Sequence, residues 1–317
     1  MRGLPINFDL GIASPTATDL IIRVSIILLA LAADFIAGPK LLKILPNIQT
    51  IASAFGLNLK SRLDKPSRNR TERFYRGAIV ALVLLPVAYG TGVIVNQIAF
   101  INTISDALTC LILTPLLAQR SGWKNLQQGK QNLSNYSSNA ELLKQTVLSF
   151  SGRTVPLSLT FLIGGFALLL PAVLLIGLLF TAPQISADHP QSPYNSGVSL
   201  IHEIVFLVPS LVASIFIATA LICLPFTKIS AALTLLNPAT KGLPSTYFPL
   251  NIVATGVEIC FRIQGSKSVE WIGPKDGRAR LQANHLRQGW LCILVANAVY
   301  LTVGILLFLY LASLLAQ

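Results

Sequence analysis

The chain is 317 residues long and has a formal net charge of +12, yet only 11% of its residues are charged and 53% are hydrophobic. Soluble domains average about 25% charged residues, so a globular fold of this length lacks the polar groups to coat its surface. A mean hydropathy of +0.67 points instead to lipid as the outer solvent, and it excludes a soluble enzyme. The expected fold is all-α: a polytopic integral membrane helix bundle of about six transmembrane helices with short cytoplasmic helices, forming one membrane domain over residues 1–317.

In chain order, no basic region precedes the first apolar stretch and no small-residue cleavage signal follows it, so 20–38 reads as a retained span. Residues 40–57 place Leu41, Ile44, Leu45, Ile48, Ile51, Ala52 and Phe55 at helical spacing. That pattern predicts a helix lying in the membrane interface, limited or bent by Pro46. The stretch 58–76 is basic and turn-prone. Spans follow at 77–97 and 100–118, the second interrupted by Asp106 and Pro115 and open to a re-entrant or tilted course. Residues 123–150 read as two polar helices split near 134–139. Spans at 156–180 and 199–224 enclose the loop 181–198. A Pro-rich loop over 237–249, a short helix over 250–263 and a polar loop over 264–289 lead to the last span, 290–315.

Charge distribution suggests an orientation. Of the 24 Lys and Arg, nine lie in 39–76, five in 119–155, eight in 225–289 and none in 181–198. With six spans those three basic segments share one side, which the positive-inside rule makes cytoplasmic. Both termini are then outside, in a multi-pass protein of a bacterial inner membrane. The positive charge serves topology and anionic headgroups, which leaves no place for nucleic acid as a partner.

Ionisable residues within spans are costly and are the first candidates for function. Asp34 lies near the cytoplasmic end of the first span and reads either as an interior hydrogen bond or as a site. Asp106 lies early in the third span. His202 and Glu203 open the fifth and Arg23 opens the first, at headgroup level where the cost is small. In Ser151-Gly152-Arg153-Thr154, glycine permits a sharp turn. Arg153 there has the fork to hold a carboxylate or phosphate, or is a basic flank of the fourth span. Arg68, Arg70, Arg73 and Arg76 have the same two readings, phosphate recruitment or lipid-facing charge. Cys110, Cys223, Cys260 and Cys292 form no zinc or disulfide pattern. No Walker A, G-x-G-x-x-G, H-E-x-x-H or G-x-S-x-G motif is present, and the metal ligands, if any, are unknown.

The order of features resembles one family, the cobalamin-biosynthesis membrane proteins CobD/CbiB. The matching stretches are Ala33-Asp34-Phe35-Ile36-Ala37-Gly38-Pro39 with Leu45-Pro46-Asn47-Ile48, then Arg76-Gly77, then Gly152-Arg153-Thr154. They continue with His202-Glu203 followed by Pro209-Ser210-Leu211, with 237–244 and Ala254-Thr255-Gly256-Val257, and with Trp271-Ile272-Gly273 before the final span. The family's Gly-Asp-Pro, Gly-Arg-Asp-Thr and Asp-Asp motifs each lack acids here.

The resemblance implies an adenosylcobinamide-phosphate synthase, an amide-forming ligase joining adenosylcobyric acid to aminopropanol or its phosphate. It implies ATP and Mg²⁺ as cofactors, a corrinoid substrate, and other cobalamin-biosynthesis proteins as partners beside the lipid bilayer. Asp34, Arg153 and Glu203 take the catalytic positions, and Arg68, Arg70, Arg73 and Arg76 the phosphate-binding ones. The missing acids open a first alternative, a catalytically inactive relative serving as a membrane scaffold or AmpE-like signalling partner. Asp34 and Asp106 within spans motivate a second, a small-solute transporter.

Overall fold

The computed structural model describes residues 16–44, 48–99, 103–117, 136–179, 192–228, 245–264, 269–279 and 281–315. Of these described residues 86% are helical, as expected of an α-helical membrane protein, and they add one two-stranded hairpin. The first polar helix expected within 123–150, the loop 181–191 and most of the Pro-rich loop 237–249 lie outside the described residues.

Helix α1 (Ala17–Ile44) begins at a capping box: Thr16 Oγ1 accepts the Asp19 N–H at 3.2 Å, and Asp19 Oδ2 accepts the Thr16 N–H at 3.1 Å. It passes through Gly38-Pro39 rather than ending there. Helix α2 (Ile48–Leu63) is separate, so the apolar stripe expected over 40–57 is divided between two helices; Leu45 and Pro46 lie outside the described residues. Helix α3 (Arg70–Ala99) starts within the Arg-rich stretch. Helix α4 (Thr103–Leu117) has 15 residues, about 22 Å at 1.5 Å per residue, short of the ~30 Å hydrocarbon layer.

Helix α5 (Tyr136–Ser149), a π-helical turn (Phe150–Thr154) and α6 (Val155–Gly164) run on continuously. The sharp turn expected at Gly152 is therefore absent. The chain breaks instead at Gly165, where φ is 57°, inside the span expected over 156–180, and α7 (Phe166–Leu179) follows. Helix α8 (Pro193–Cys223) is capped by Ser192, whose Oγ accepts the Asn195 N–H at 3.3 Å. Helix α9 (Phe248–Gly256) precedes strands β1 (Phe261–Gln264) and β2 (Val269–Ile272). The antiparallel hairpin replaces the end of the expected helix and the start of the expected polar loop. Its alternation buries Phe261 and Ile272 and leaves the cross-strand partners Arg262 and Trp271 outside. Helix α10 (Ala283–Leu315) ends the described chain.

Four helices among the described residues are long and apolar enough to cross a membrane: Arg70–Ala99, Asn139–Gly164, Pro193–Cys223 and Asn284–Leu315. Ile104–Leu117 and Phe166–Leu179 are shorter apolar helices. Large hydrophobic side chains stand outward along the long ones, including Ile79, Leu82, Val83, Val87 and Ile94 on α3, Ile204, Val208 and Ile215 on α8, and Leu306 and Leu309 on α10. Water would penalise such a surface at about 25 cal/mol per Å², and a lipid environment removes that penalty.

Two apolar cores lie along α8. The first joins Ala30 of α1, Leu113 of α4, Phe161 of α6, Leu169 of α7 and Phe206 of α8. The second joins Leu143 of α5, Ile217 and Leu221 of α8, Val253 of α9, Phe261 and Ile272 of the hairpin, and Ile293 of α10. Helix α8 thus gives its first half to one core and its second half to the other.

The same helix corrects the expected topology. A Cβ on Gly77 would lie 2.1 Å from the Tyr194 carbonyl oxygen, and one on Gly197 2.1 Å from that of Phe74. The N-terminal ends of α3 and α8 therefore meet backbone to backbone. Alternation over six spans required 39–76 and 181–198 on opposite sides, but 70–77 and 192–197 lie together at one end. The side assignment drawn from counting Lys and Arg, including outside termini and an outward Glu203, loses its basis. The basic stretch 58–76 stands at the α8 N-terminal end, whereas Lys228 follows the α8 C-terminal end.

Candidate functional site

Three helices are tied together where α2 gives way to α3. Asp64 Oδ1 accepts from Arg73 Nε at 2.5 Å, and the Ser192 hydroxyl, at the head of α8, donates to the same carboxylate. Both charged side chains are largely buried, 7% and 19% exposed. Burial pushes the Asp64 carboxyl up, but the bonds from Arg73 and Ser192 and the charges of Arg73 and Lys60 outweigh it and hold the group below its ordinary value. Burial in turn pushes the Lys60 ammonium down.

The sign of the linkage follows. A carboxyl whose folded pKa is depressed contributes stability that is complete above its unfolded value, about 3.9. That contribution is lost as pH falls through the folded value. We expect the melting temperature of the detergent-solubilised protein to drop below about pH 4, and to drop less in Asp64→Asn. Differential scanning fluorimetry across pH checks this; parallel pH profiles for the two proteins would remove Asp64 from the account.

The arginines picked out from sequence are grouped by the α2–α3 junction, but acids already engage Arg73 and Arg76. Besides the Arg73–Asp64 pair, Arg76 Nη2 meets Glu72 Oε1 at 2.7 Å, and Arg68 donates to the Leu63 carbonyl at 3.0 Å. Arg70 is exposed. Asp34, 1% exposed, is buried in α1. Arg153 sits in the π-helical turn between α5 and α6. Glu203 accepts from the Ser199 hydroxyl at 3.3 Å, one turn earlier on its own helix, and is joined to neither Arg153 nor Asp34. His202 is buried, with its ring stacked on Phe206 at 4.1 Å between centroids. Asp106 Oδ1 is buried without a hydrogen-bond partner.

The other acids with described side chains do not gather. Glu258, in the left-handed region at φ 59°, pairs with Lys228, and that hydrogen bond holds its carboxyl below the usual range. Glu141 pairs with Lys144 at 2.6 Å, and Asp276 is exposed. Among the described residues no three His, Cys, Asp or Glu are grouped to hold a metal ion. The described residues offer no donor set that fits the Mg²⁺ implied by the resemblance.

A polar arrangement unforeseen from the sequence lies at the α6–α7 break. Asn96 Oδ1 accepts the Phe166 N–H at 2.8 Å, while its Nδ2 donates to the Gly164 carbonyl at 3.1 Å. Arg23 Nη1 donates to the carbonyls of Ile163 and Leu162 at 2.9 and 3.2 Å. These are peptide groups released by the break, and in apolar surroundings they need partners. A guanidinium at the C-terminal end of α6 also suits the helix dipole. The sequence signal was the Gly164-Gly165 doublet inside an apolar run. Nearby, the Tyr300 hydroxyl donates to Ser158 Oγ at 2.5 Å, and Thr154 Oγ1 donates to the Leu117 carbonyl at 3.0 Å, linking α10 to α6 and the π-turn to α4.

No family model, no curated protein and no solved structure matches the chain.

Proposed function

We propose that this chain is a membrane-embedded helical scaffold, multi-pass in a bacterial inner membrane, built like the CobD/CbiB proteins but serving an AmpE-like role in place of amide ligation. One observation carries the reading. The Asp64–Arg73–Ser192 node uses a would-be phosphate-binding arginine to join α2, α3 and α8. A ligase handling phosphorylated substrates and a metal nucleotide needs such arginines open and acids grouped around the ion. Here Arg73 and Arg76 are occupied by Asp64 and Glu72. The broken helix favours a second reading, a small-solute transporter, because half-helix ends commonly line transport sites. Against it, Asn96 and Arg23 occupy the peptide groups of the break, as a static joint requires.

The test is complementation of a bacterial strain lacking adenosylcobinamide-phosphate synthase. Well-inserted protein should give no cobalamin-dependent growth. Growth that disappears in Asp34→Ala and Arg153→Ala would overturn the scaffold reading and establish an active synthase.

A further inference from the structure

The outward stripes of α2 and α3 change character at the same end of the molecule. On α2, Ile51 and Phe55 are exposed one turn apart, and the same face reaches the exposed Arg62 two turns later. On α3, the exposed apolar stripe through Val87, Val83 and Ile79 ends at Tyr75, 58% exposed, and the exposed Arg70 lies beyond it. On α8, whose Tyr194 touches Gly77, the exposed apolar run begins at Leu200. Three helices therefore start their lipid-facing surface near one height. An aromatic ring marks that boundary, as at membrane–water interfaces generally.

Just past this boundary the chain is strongly cationic. Residues 58–76 hold seven Lys and Arg against two acids. Asp64 and Glu72 are spent on Arg73 and Arg76, while Arg62, Lys65 and Arg70 stand exposed. Cations placed within a side-chain length of an apolar belt meet headgroup phosphates, and the long stems of Arg and Lys let the charge reach them while the stem stays in the apolar layer.

We infer that the α2–α3 junction is a binding surface for anionic phospholipid headgroups, with Ile51, Phe55 and Tyr75 against the acyl boundary and Arg62, Lys65 and Arg70 on the phosphates. The surface selects lipid by headgroup charge and holds this end of the bundle at the membrane face. It is independent of whether the chain is a scaffold or an enzyme.

The experiment places the full chain in nanodiscs of equal parts phosphatidylglycerol and phosphatidylcholine and counts retained lipids by native mass spectrometry. Phosphatidylglycerol should be enriched by about fivefold for each cation engaged, and the enrichment should shrink at high salt. Arg62→Gln, Lys65→Gln and Arg70→Gln combined should bring retention to parity. Lys275→Gln with Arg278→Gln, beyond α8's other end, should leave it unchanged. A melting temperature equal to wild type certifies that the triple variant is folded; should it not be, Arg70→Gln alone must still lower the enrichment. Equal retention of the two lipids by the wild type, or selectivity that survives the substitutions, overturns the proposal. So does selectivity abolished by millimolar inorganic phosphate, which would assign the surface to a soluble anion.

Discussion

Gly77→Val should cost about 3 kcal/mol, at the top of the usual range for overpacking, and should prevent most of the protein from reaching a folded, monodisperse state. The reason is that nothing at this position can yield. The nearest neighbours of an added Cβ are the carbonyl oxygen, carbonyl carbon and Cα of Tyr194, at 2.1, 2.9 and 3.2 Å. All three are backbone, and the reciprocal contact at Gly197 is also with backbone, so relieving either clash means separating α3 from α8. Their separation would also pull Ser192 away from the Asp64–Arg73 pair. Gly90 supplies the comparison, since an added Cβ there meets nothing within 4 Å. Gly90→Ala should be neutral or stabilise by about 0.5–1 kcal/mol through lost chain entropy. Thermal unfolding followed by fluorescence-detected size exclusion distinguishes the two; equal melting of both variants would mean that α3 and α8 do not meet as described.

The second large effect is expected at Asn96. Leucine is of similar size but can neither accept from the Phe166 N–H nor donate to the Gly164 carbonyl, so both peptide groups lose their partner in apolar surroundings. At about 1–3 kcal/mol for each stranded group, Asn96→Leu should lower stability by about 3 kcal/mol. Asn96→Asp keeps the acceptor and loses the donor, and should fall between. Gln97→Leu, one residue further along and exposed, should change little. Melting of Asn96→Leu at the wild-type temperature would show that the break is held without this side chain.

The helices were legible because hydrophobic composition and periodicity are local properties. The long apolar stretches within α3, α8 and α10 could be read directly, and the sparse charge already required a non-aqueous surround. Breaks and junctions were harder. Pro39 and Gly152 look like punctuation, yet the helix passes through both, because neighbouring turns compensate for a proline near a helix end and a glycine merely lowers propensity. The real break at Gly165 needs Asn96, nearly seventy residues away, and no local pattern reports such a partner. Orientation was not legible for a related reason. Counting cations assumes that every apolar stretch crosses fully and in alternation, while α4 is short and the 156–180 stretch is interrupted. The α3–α8 contact rests on two glycines whose importance lies in what they leave out. The arginines were found as a group, but whether each was open or occupied depended on Asp64 and Glu72, which composition treats only as a reduction in charge.

The sharing of α8 between two cores sets an order on assembly. Among the described residues every buried member of the first core lies no later than Phe206, whereas the second draws on residues from Leu143 to Ala296. During synthesis, with domains consolidating from the N-terminus, the first core has all its described buried members once the chain has passed residue 206. The second must wait for α10, with half of α8 already held in place. The earlier core thus acts as the template that fixes the axis and azimuth of a helix while its other half has only Leu143, Val147, Phe150 and Val155 to pack against. A slow step in 222–296 leaves a finished half-molecule presenting Ile217 and Leu221 without the cover that Val253, Phe261, Ile272 and Ile293 supply.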